Sequence, residues 1–412
     1  MTLECIKCDT SKVAAWHLLI PYFNLPFYFS LKLMLNTPIL SFYVKDKLRL
    51  PAKVHSDNTH LQLSVSWLCK CFTNAGFSEG YSLEKGWLLA DPGGAGLAIQ
   101  TFLEYASYTG KDKYSNVATE IGDWICSLQL PTSALGSCFM KLKPMSSLDA
   151  GNVILGLCAL YKETSNEKYI ASAIKIADWF VQKHNKIDIP RDGEPLGCDA
   201  HLAWSLLTLN NINKNKNYSE TTARIISLLI SSAKPNGWLN SMASYNEAKC
   251  STLDIAYTLQ GILECSFYLE EKIRGEAIDV IITASAQLMR KYELKKKDPY
   301  SLPDHLPSCF NSKWKPESMC SSSSGSAQVA YLWLSIFKEN NDARFLNAAL
   351  KVNDQLKALQ VSSHKSKAIY GGLKENHPIW HGRHKYTFTA LAAAHFARSL
   401  VLQEKIMATI EK

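Results

Sequence analysis

A repeated helical segment is the feature of this sequence that most restricts its fold. Residues 110–129 (GKDKYSNVATEIGDWICSLQ) align without gaps with residues 165–184 (SNEKYIASAIKIADWFVQKH), and more weakly with residues 341–360 (NDARFLNAALKVNDQLKALQ). Each copy places an aromatic residue, an alanine, an aliphatic residue and an aspartate at matching positions. The apolar members are spaced by four and then three residues, which puts them on one face of a helix. The sequence therefore predicts an amphipathic helix that recurs along the chain.

A second, more apolar kind of helix alternates with the first. The apolar helices are predicted at 92–110, 147–165, 198–210, 251–270, 324–340 and 384–403. The amphipathic helices are predicted at about 57–75, 113–129, 166–184, 218–233, 273–291 and 342–360. A helix that is apolar nearly all round is surrounded by protein, whereas an amphipathic helix faces solvent on one side. We therefore predict an all-α (α/α)6 toroid of six inner and six outer antiparallel helices, with an open helical solenoid as the alternative.

The N-terminal region is predicted to be an extension rather than part of the toroid. We assign residues 1–56 to an apolar extension packed on or beside the toroid domain, and residues 57–412 to that domain. Residues 14–43 are apolar and aromatic, but prolines, asparagines and a lysine interrupt every window of the ~20 residues needed to cross a bilayer. No secretory signal pattern is visible. Peripheral membrane contact through residues 14–43 is the alternative role.

Composition favours an ordinary globular protein of a reducing compartment. The chain has 47% hydrophobic residues and a modest net charge of +8, without a nucleic-acid-binding motif. Its 12 cysteines are isolated, and several fall inside apolar helices, which is typical of buried thiols in a cytoplasmic protein. The one metal-like spacing, Cys5-x-x-Cys8, lacks a second pair of ligands. We therefore predict no metal and no cofactor, and the sequence does not specify an oligomeric state.

A cleft is expected at the end of the toroid where the inner helices begin. The loops that enter these helices should gather there, and segments 236–247 and 302–316 should form its walls. The residues expected at this end are Gly86, Trp87, Asp91, Gly93, Gly94, Asp149, Asn152, Asp199, His201, Thr252, Asp254, Gln328, Arg383, His384 and Tyr386.

Several segments together resemble a known group of proteins. They are 86–96 (GWLLADPGGAG), 148–164, 236–241 (NGWLNS), 255–264, 325–334 and 371–382 (GGLKENHPIWHG). In this order they resemble (α/α)6 toroid proteins encoded with bacterial polysaccharide-biosynthesis genes, described as six-hairpin glycosidase-like or prenyltransferase-like. The resemblance covers roughly residues 60–404 and implies a role in polysaccharide metabolism. The same fold serves unsaturated glucuronyl hydrolases, polysaccharide lyases, sugar epimerases and terpene cyclases, so the fold does not choose the reaction.

The sequence departs from this group at three polar positions. Relatives carry Pro-Glu-Thr-Thr-Gly-Tyr where this chain has 92–97 (PGGAGL), so an acidic side chain is missing at the first inner helix. A histidine of the relatives is replaced by Leu253, and an arginine of the third inner helix is replaced near His201. The matching positions Asp149 and Gln328 remain. These differences predict that the activity of the group is altered or lost here.

The residues of the expected cleft fit two kinds of sugar chemistry. Glycoside hydrolysis uses two carboxyl groups across the bond, and the candidates are Asp91, Asp149, Asp199, Asp254, Asp304 and Glu375. An aspartate before an apolar helix can instead be an N-cap. A lyase or epimerase abstracts a proton next to a carboxylate, with His or Tyr as base and a cation on the acid group. Candidates for that chemistry are His201, His381, His384, Tyr370, Tyr386 and Arg383, although loop histidines can also be simply solvated.

We predict a carbohydrate-active protein that binds or processes an anionic, uronic-acid-bearing glycan by hydrolysis, β-elimination or epimerisation. The predicted catalytic residues are Asp149, His201, His384 and Asp254. The predicted substrate-binding residues are Trp87, Asp91, Trp238, Gln328, Trp380, His381, Arg383 and Tyr386, with Trp314 as a further sugar-stacking candidate. One alternative is a glycan-binding or scaffold toroid that has lost catalysis. The other is an isoprenoid-handling toroid like the terpene cyclases, although the sequence lacks their Asp-rich motif.

Overall fold

The computed structural model describes residues 37–50, 52–129, 145–185, 197–242, 249–293 and 305–411. The chain divides into two compact units, Met1–Arg49 and Leu50–Lys412. One helix, α1 (Thr37–Lys47), is described in the smaller unit. Cys5, Cys8, Asp304 and most of segment 14–43 lie outside the described residues, so the packing and membrane roles of the extension remain predictions. Among the described residues, no helix combines the length and apolarity needed to cross a membrane.

Twelve helices, numbered on in chain order, are described in the larger unit, and they alternate between an outer and an inner ring. The outer helices are α2 (Asp57–Cys71), α4 (Lys113–Ser127), α6 (Glu167–Asn185), α8 (Lys216–Ser231), α10 (Glu271–Glu293) and α12 (Ala343–Leu359). The inner helices are α3 (Pro92–Thr109), α5 (Ser147–Thr164), α7 (Cys198–Ile212), α9 (Thr252–Ser266), α11 (Ser323–Asn340) and α13 (Ala390–Ile410). Each inner helix packs against the next, and α13 packs against α3, which closes the ring. The predicted (α/α)6 toroid is confirmed.

The repeated aromatic and aspartate positions link successive outer helices. Tyr169 on α6 donates a hydrogen bond to Asp123 on α4, with 2.6 Å between the oxygens. Tyr218 on α8 donates in the same way to Asp178 on α6, at 2.7 Å. The repeat visible in the sequence is therefore a contact between neighbouring hairpins as well as a helical pattern.

Glycines allow two inner helices to approach closely. A Cβ atom added at Gly156 on α5 would lie 2.6 Å from the carbonyl oxygen of Gly96 on α3. A Cβ atom added at Gly96 would lie 2.5 Å from the carbonyl oxygen of Asn152. Because these contacts are with backbone atoms, a side chain at either position would force the helices apart.

Short antiparallel strands tie the loops at one end of the toroid to the starts of the inner helices. The strands are β1 (Phe72–Thr73), β2 (Gly76–Phe77), β3 (Gly80–Ser82), β4 (Gly86–Trp87), β5 (Lys249–Ser251), β6 (Cys309–Asn311), β7 (Ser321–Ser322), β8 (Asn376–His377) and β9 (Thr387–Thr389). They form the sheets β1-β2, β4-β3-β9, β5-β6 and β7-β8. The last inner helix begins at Ala390 and not at 384 as predicted, because Thr387–Thr389 pairs with β3 and Thr389 caps the helix.

Candidate functional site

A cavity of about 350 Å³ opens where α3, α9, α11 and α13 begin, and we call it the mouth. Its lining includes the predicted site residues Asp91, Asp254, Arg383 and His384, and the candidate carboxylate Glu375. The other lining residues are Glu79, Ser251, Leu253, Ser308, Ser322, Ser324, Asn376, Gly382, Thr389 and Leu391. The structure thus places a cleft at the predicted end of the toroid.

Polar side chains reach the mouth because they cap the inner helices that start there. The capping side chains are Asp91 for α3, Ser251 for α9, Ser322 for α11 and Thr389 for α13. Each accepts a hydrogen bond from a backbone N–H of the first turn, at 3.0 to 3.2 Å. N-capping therefore explains why hydroxyl and carboxyl groups gather at this end.

Asp254 contributes a half-buried carboxyl group to the lining of the mouth. Ser251 donates from Oγ to Asp254 Oδ2 at 2.7 Å, and the backbone N–H of Asp254 donates back to Ser251 Oγ at 3.0 Å. Burial raises the pKa of Asp254, and the hydrogen bond from Ser251 opposes this only in part. A carboxyl group that keeps its proton to higher pH is suited to act as a general acid.

Glu375 joins the starts of the fifth and sixth inner helices. Its Oε1 accepts hydrogen bonds from Ser322 and Ser324, both at 2.7 Å, and its Oε2 accepts one from Thr389 at 2.5 Å. Its backbone N–H donates to Thr387, and its carbonyl oxygen accepts from Ser323. The side chain is only 5% exposed. These three hydroxyl donors supply the partners that a buried carboxylate needs.

The lining of the mouth is acidic, with its basic groups on one loop. Carboxyl groups come from Glu79, Asp91, Asp254 and Glu375, whereas Arg383 and His384 are neighbours in the segment that leads to α13. His384 Nδ1 lies 3.7 Å from Glu79 Oε1, and Arg383 is exposed. The described part of the chain contains no cluster of three or more His, Cys, Asp or Glu side chains that could hold a metal ion.

Asp149 lies against the start of the first inner helix. Its backbone N–H is capped by Ser146 Oγ at 3.0 Å. A Cβ atom added at Gly93 would lie 2.3 Å from Asp149 Oδ1, so the carboxylate occupies the space that a side chain at Gly93 would take. Asp149 is not among the residues that line the mouth, and its catalytic role remains a prediction.

His201 lies inside the inner ring rather than in the wall of the mouth. Its Nε2 is 2.9 Å from Oδ1 of Asn152, and its ring packs edge to face on Tyr257 with 4.8 Å between centroids. Burial lowers the pKa of His201 to about 3, so the ring is neutral at physiological pH. Gln328 is also buried within the ring. The expectation that these two side chains face the cleft does not fit their positions.

The predicted sugar-stacking tryptophans differ in exposure. Trp238 and Trp314 pack edge to face at 5.3 Å and are 2% and 1% exposed, so neither ring offers a face to a sugar. Trp87 is 37% exposed and contacts Tyr81 edge to face at 5.3 Å. Trp380 is half-buried. Of this set, Trp87 offers the most accessible ring.

Two further predicted binding residues lie in the loop before α13 without lining the mouth. Tyr386 is buried and has a φ of 55°, and its backbone N–H donates to Ile379 while its carbonyl oxygen accepts from Leu83. It therefore anchors the loop. Burial, and then the charge of Lys385, lowers the pKa of His381.

The site residues predicted from the sequence do not include the hydroxyl groups that hold Glu375. Ser322 and Ser324 belong to a run of four serines that leads into an apolar helix, which is a visible N-cap signal. Thr389 is the cap of the next inner helix. The capping signal could have located these residues, but their convergence on Glu375 depends on the pairing of β7 with β8 and on the bridge between Lys374 and Phe388.

Known proteins resemble this chain in its fold and in the sequence of one segment. Residues 94–190, from α3 into the segment after α6, match the sequence model of Glycosyl Hydrolase Family 88. No curated protein matches the sequence significantly.

Solved structures match over most of the chain. An unsaturated glucuronyl hydrolase specific for heparin is 12% identical over 85% of this chain and 96% of its own, with a TM-score of 0.65. The cellobiose 2-epimerase of Bacillus thermoamylovorans is 12% identical over 89% and 99%, with a TM-score of 0.63. The unsaturated glucuronyl hydrolase of Bacillus sp. GL1 is 14% identical over 83% and 94%, with a TM-score of 0.60. The chain therefore shares the (α/α)6 toroid fold of these proteins.

Proposed function

We propose that the mouth binds the uronic-acid end of a glycan and hydrolyses the adjoining glycosidic bond. The observation that carries this proposal is the position of Asp254, whose pKa is raised by burial, in a cavity that also holds Glu375. Glycoside hydrolysis needs one carboxyl group that donates a proton and a second that is ionised. Asp254 and Glu375 are the pair that we propose for these two roles.

The two carboxyl groups take different roles. Asp254 protonates the oxygen of the leaving group, because its raised pKa keeps the proton available. Glu375, held by three hydroxyl donors, stabilises the positive charge that develops on the sugar ring or activates a water molecule.

Arg383 and His384 supply recognition of the sugar's own carboxylate. Carboxylates in the mouth repel an anion, so a uronic acid is bound with its carboxylate toward the loop that carries these two residues. The guanidinium of Arg383 can form a paired hydrogen bond with a carboxylate, which a single ammonium group cannot. The charge distribution of the mouth thus orients the sugar.

The comparisons support a carbohydrate substrate. The matched family is one of glycosyl hydrolases, and two of the similar structures are described as unsaturated glucuronyl hydrolases. The similar cellobiose 2-epimerase makes epimerisation the second candidate reaction. His384 in the mouth is the observation that favours it, since epimerisation needs a base that can remove a carbon-bound proton.

Leu253 favours a third possibility, a glycan-binding protein without catalysis. This leucine lines the mouth at the position where the resembling proteins carry a histidine. The isoprenoid-handling alternative is less well supported, because a dry aromatic cavity is expected for it, and the described lining of the mouth is rich in carboxyl and hydroxyl groups.

The test is to incubate the full-length chain with saturated and unsaturated uronate oligosaccharides and to follow ultraviolet absorbance, mass and NMR spectra together. Hydrolysis of an unsaturated substrate removes the absorbance of the conjugated double bond and adds one water to the combined mass of the fragments. Elimination creates that absorbance, and epimerisation changes the NMR spectrum at constant mass. We expect hydrolysis.

Thermal denaturation in the presence of the same oligosaccharides separates binding from catalysis. A ligand that binds only the folded state raises its stability, so stabilisation without turnover favours the binding protein. The proposal would be refuted if no uronate were turned over and none stabilised the protein.

A further inference from the structure

A chain of four buried polar side chains crosses the inner ring. His201 on α7 contacts Asn152 on α5 at 2.9 Å, and Asn152 Nδ2 lies 3.4 Å from the hydroxyl of Tyr257 on α9. The Tyr257 hydroxyl lies 2.7 Å from Nε2 of His395 on α13. All four side chains are 1% or 2% exposed. Nδ1 of both histidines has no hydrogen-bond partner among the described residues.

One of the two open Nδ1 atoms carries a proton and is a donor, and the other carries none and is an acceptor. Burial, and then the charge of Arg398, lowers the pKa of both histidines, so each ring is neutral and carries one proton. With Asn152 Oδ1 facing His201, Nε2 of His201 donates, and its Nδ1 is an acceptor. Asn152 then donates to Tyr257 and Tyr257 donates to His395 Nε2, which leaves a proton on Nδ1 of His395.

This conclusion does not depend on the orientation of the amide. Turning the Asn152 amide over reverses every hydrogen bond in the chain, so the donor and acceptor ends exchange places. In both cases the ring interior presents one N–H group and one bare nitrogen. A buried polar atom without a partner costs about 1–3 kcal/mol, and nearly all such atoms in folded proteins have a partner.

We propose that the two open ends bind hydroxyl groups in the interior of the inner ring, beneath the mouth. A hydroxyl group both donates and accepts, so it suits either end. Tyr257 follows Asp254 by three residues on α9, so its backbone lies about 4.5 Å farther along the helix from the mouth than that of Asp254. The ligand is therefore either an enclosed water molecule or a hydroxyl of a sugar that reaches the floor of the mouth. The site itself is independent of the proposed function, and only the sugar source depends on it.

Nitrogen-15 NMR of the full-length, unliganded protein tests the two ends. Spectra of the imidazole nitrogens, assigned with His201→Gln and His395→Gln variants, should show a proton on Nδ1 in one ring and on Nε2 in the other. Tyr257→Phe interrupts the chain and should shift the nitrogen signals of His395. His60 provides the control, since its two nitrogens contact Gln360 and the backbone of His55, in a different part of the toroid.

Magnetisation transfer to the buried Nδ1–H proton identifies the hydroxyl. Transfer from water in the unliganded protein supports an enclosed water molecule. Transfer from sugar protons, seen only after addition of an unsaturated uronate disaccharide, supports the sugar source. The same tautomer in both rings, a charged ring, or an Nδ1–H proton that receives magnetisation from neither source would overturn the proposal. Failure of glycan turnover would leave the water result intact.

Discussion

The mouth and the seam that closes the toroid both contain carboxyl groups that are partly or fully buried. The two regions differ in the side chains that contact these groups. The closing seam is where α2 meets α12 and α13, and there Asp57 contacts the ammonium group of Lys357 and the amide of Gln403. In the described part of the mouth, the hydrogen bonds to the side chains of Asp254 and Glu375 come from hydroxyl groups. A cation neutralises a structural carboxylate, whereas hydroxyl partners leave the charge or the proton available to a ligand.

The hydrogen bonding of buried histidines also differs between the closing seam and the interior of the ring. In the closing seam, Gln360 Oε1 lies 2.6 Å from His60 Nδ1, and its amide nitrogen donates to Ser64 at 2.7 Å. The other nitrogen of His60 accepts from the backbone of His55 at 2.9 Å. Inside the ring, His201 and His395 each keep one nitrogen without a partner among the described residues. Complete pairing is typical of a structural network, and incomplete pairing indicates a place for a ligand.

The largest expected effect is in the mouth. Asp254→Asn removes the proposed general acid, so we expect turnover of a uronate substrate to fall by about 10²- to 10⁴-fold. Folding stability should be unchanged or higher, because a neutral amide avoids the cost of burying an ionisable carboxyl group. Initial rates and denaturant unfolding measure the two quantities.

Asp279→Asn on the exposed face of α10 is the matched control for Asp254→Asn and should change neither quantity. An Asp254→Asn enzyme that retains the wild-type rate would show that the raised pKa of this residue has no catalytic use.

In the closing seam, a substitution should lower folding stability and leave turnover unchanged. Lys357→Met leaves Asp57 without its cation, and removing one partner of a buried ion pair costs roughly 3–5 kcal/mol of the free energy of unfolding. Lys357 is 7% exposed and Asp57 is 20% exposed at their side chains. Turnover per folded molecule should be unaffected, because Asp57 and Lys357 lie on outer helices and do not line the mouth.

Arg344→Met is the control for Lys357→Met on the same helix. Its pair with Asp342 is solvent-exposed on the arginine side, so its loss should have no measurable effect on unfolding. Equal effects of the two variants would contradict the distinction between a buried seam and an exposed pair.

The architecture was predictable because it depends on local spacing. Tyr169 repeats the helical position of Tyr114, and Asp178 repeats that of Asp123. This pattern alone locates the hairpins. The start of α13 was placed too early, since residues 387–389 pair with a strand that lies far away in the sequence. Long-range pairing of this kind leaves no local signal.

Predicted residues reach the mouth either from the start of an inner helix or, for Arg383 and His384, from the loop before α13. Asp91 and Asp254 reach the mouth because they sit in the first turn or at the cap of an inner helix. His201 also lies in the first turn of its helix, but the rotation of α7 directs its ring toward Asn152 inside the toroid. Trp238 and Trp314 were expected to face a sugar and instead pack on each other. Such directions depend on the assembled ring.

The smallest expected effect concerns the pH dependence of stability, and it separates the ring interior from the mouth. The pKa of His201 is lowered to about 3 in the folded protein, against an ordinary value near 6.5 in the unfolded chain. Above pH 6.5 the ring is neutral in both states and contributes no pH dependence. Below pH 6.5 only the unfolded chain takes up the proton, so stability falls, by about 2 kcal/mol between pH 8 and pH 5.

Asp254 changes the pH dependence of stability in the direction opposite to His201. Burial raises the pKa of Asp254, so its contribution to stability is lost as the pH rises. Comparing the wild type with His201→Leu at pH 8 and pH 5 isolates the histidine. Denaturant unfolding should show that the variant loses about 2 kcal/mol less than the wild type over this interval, whatever its absolute stability. Parallel losses in the two proteins would mean that His201 takes up its proton in the folded state, and the neutral hydrogen-bonded chain beneath the mouth could not then exist.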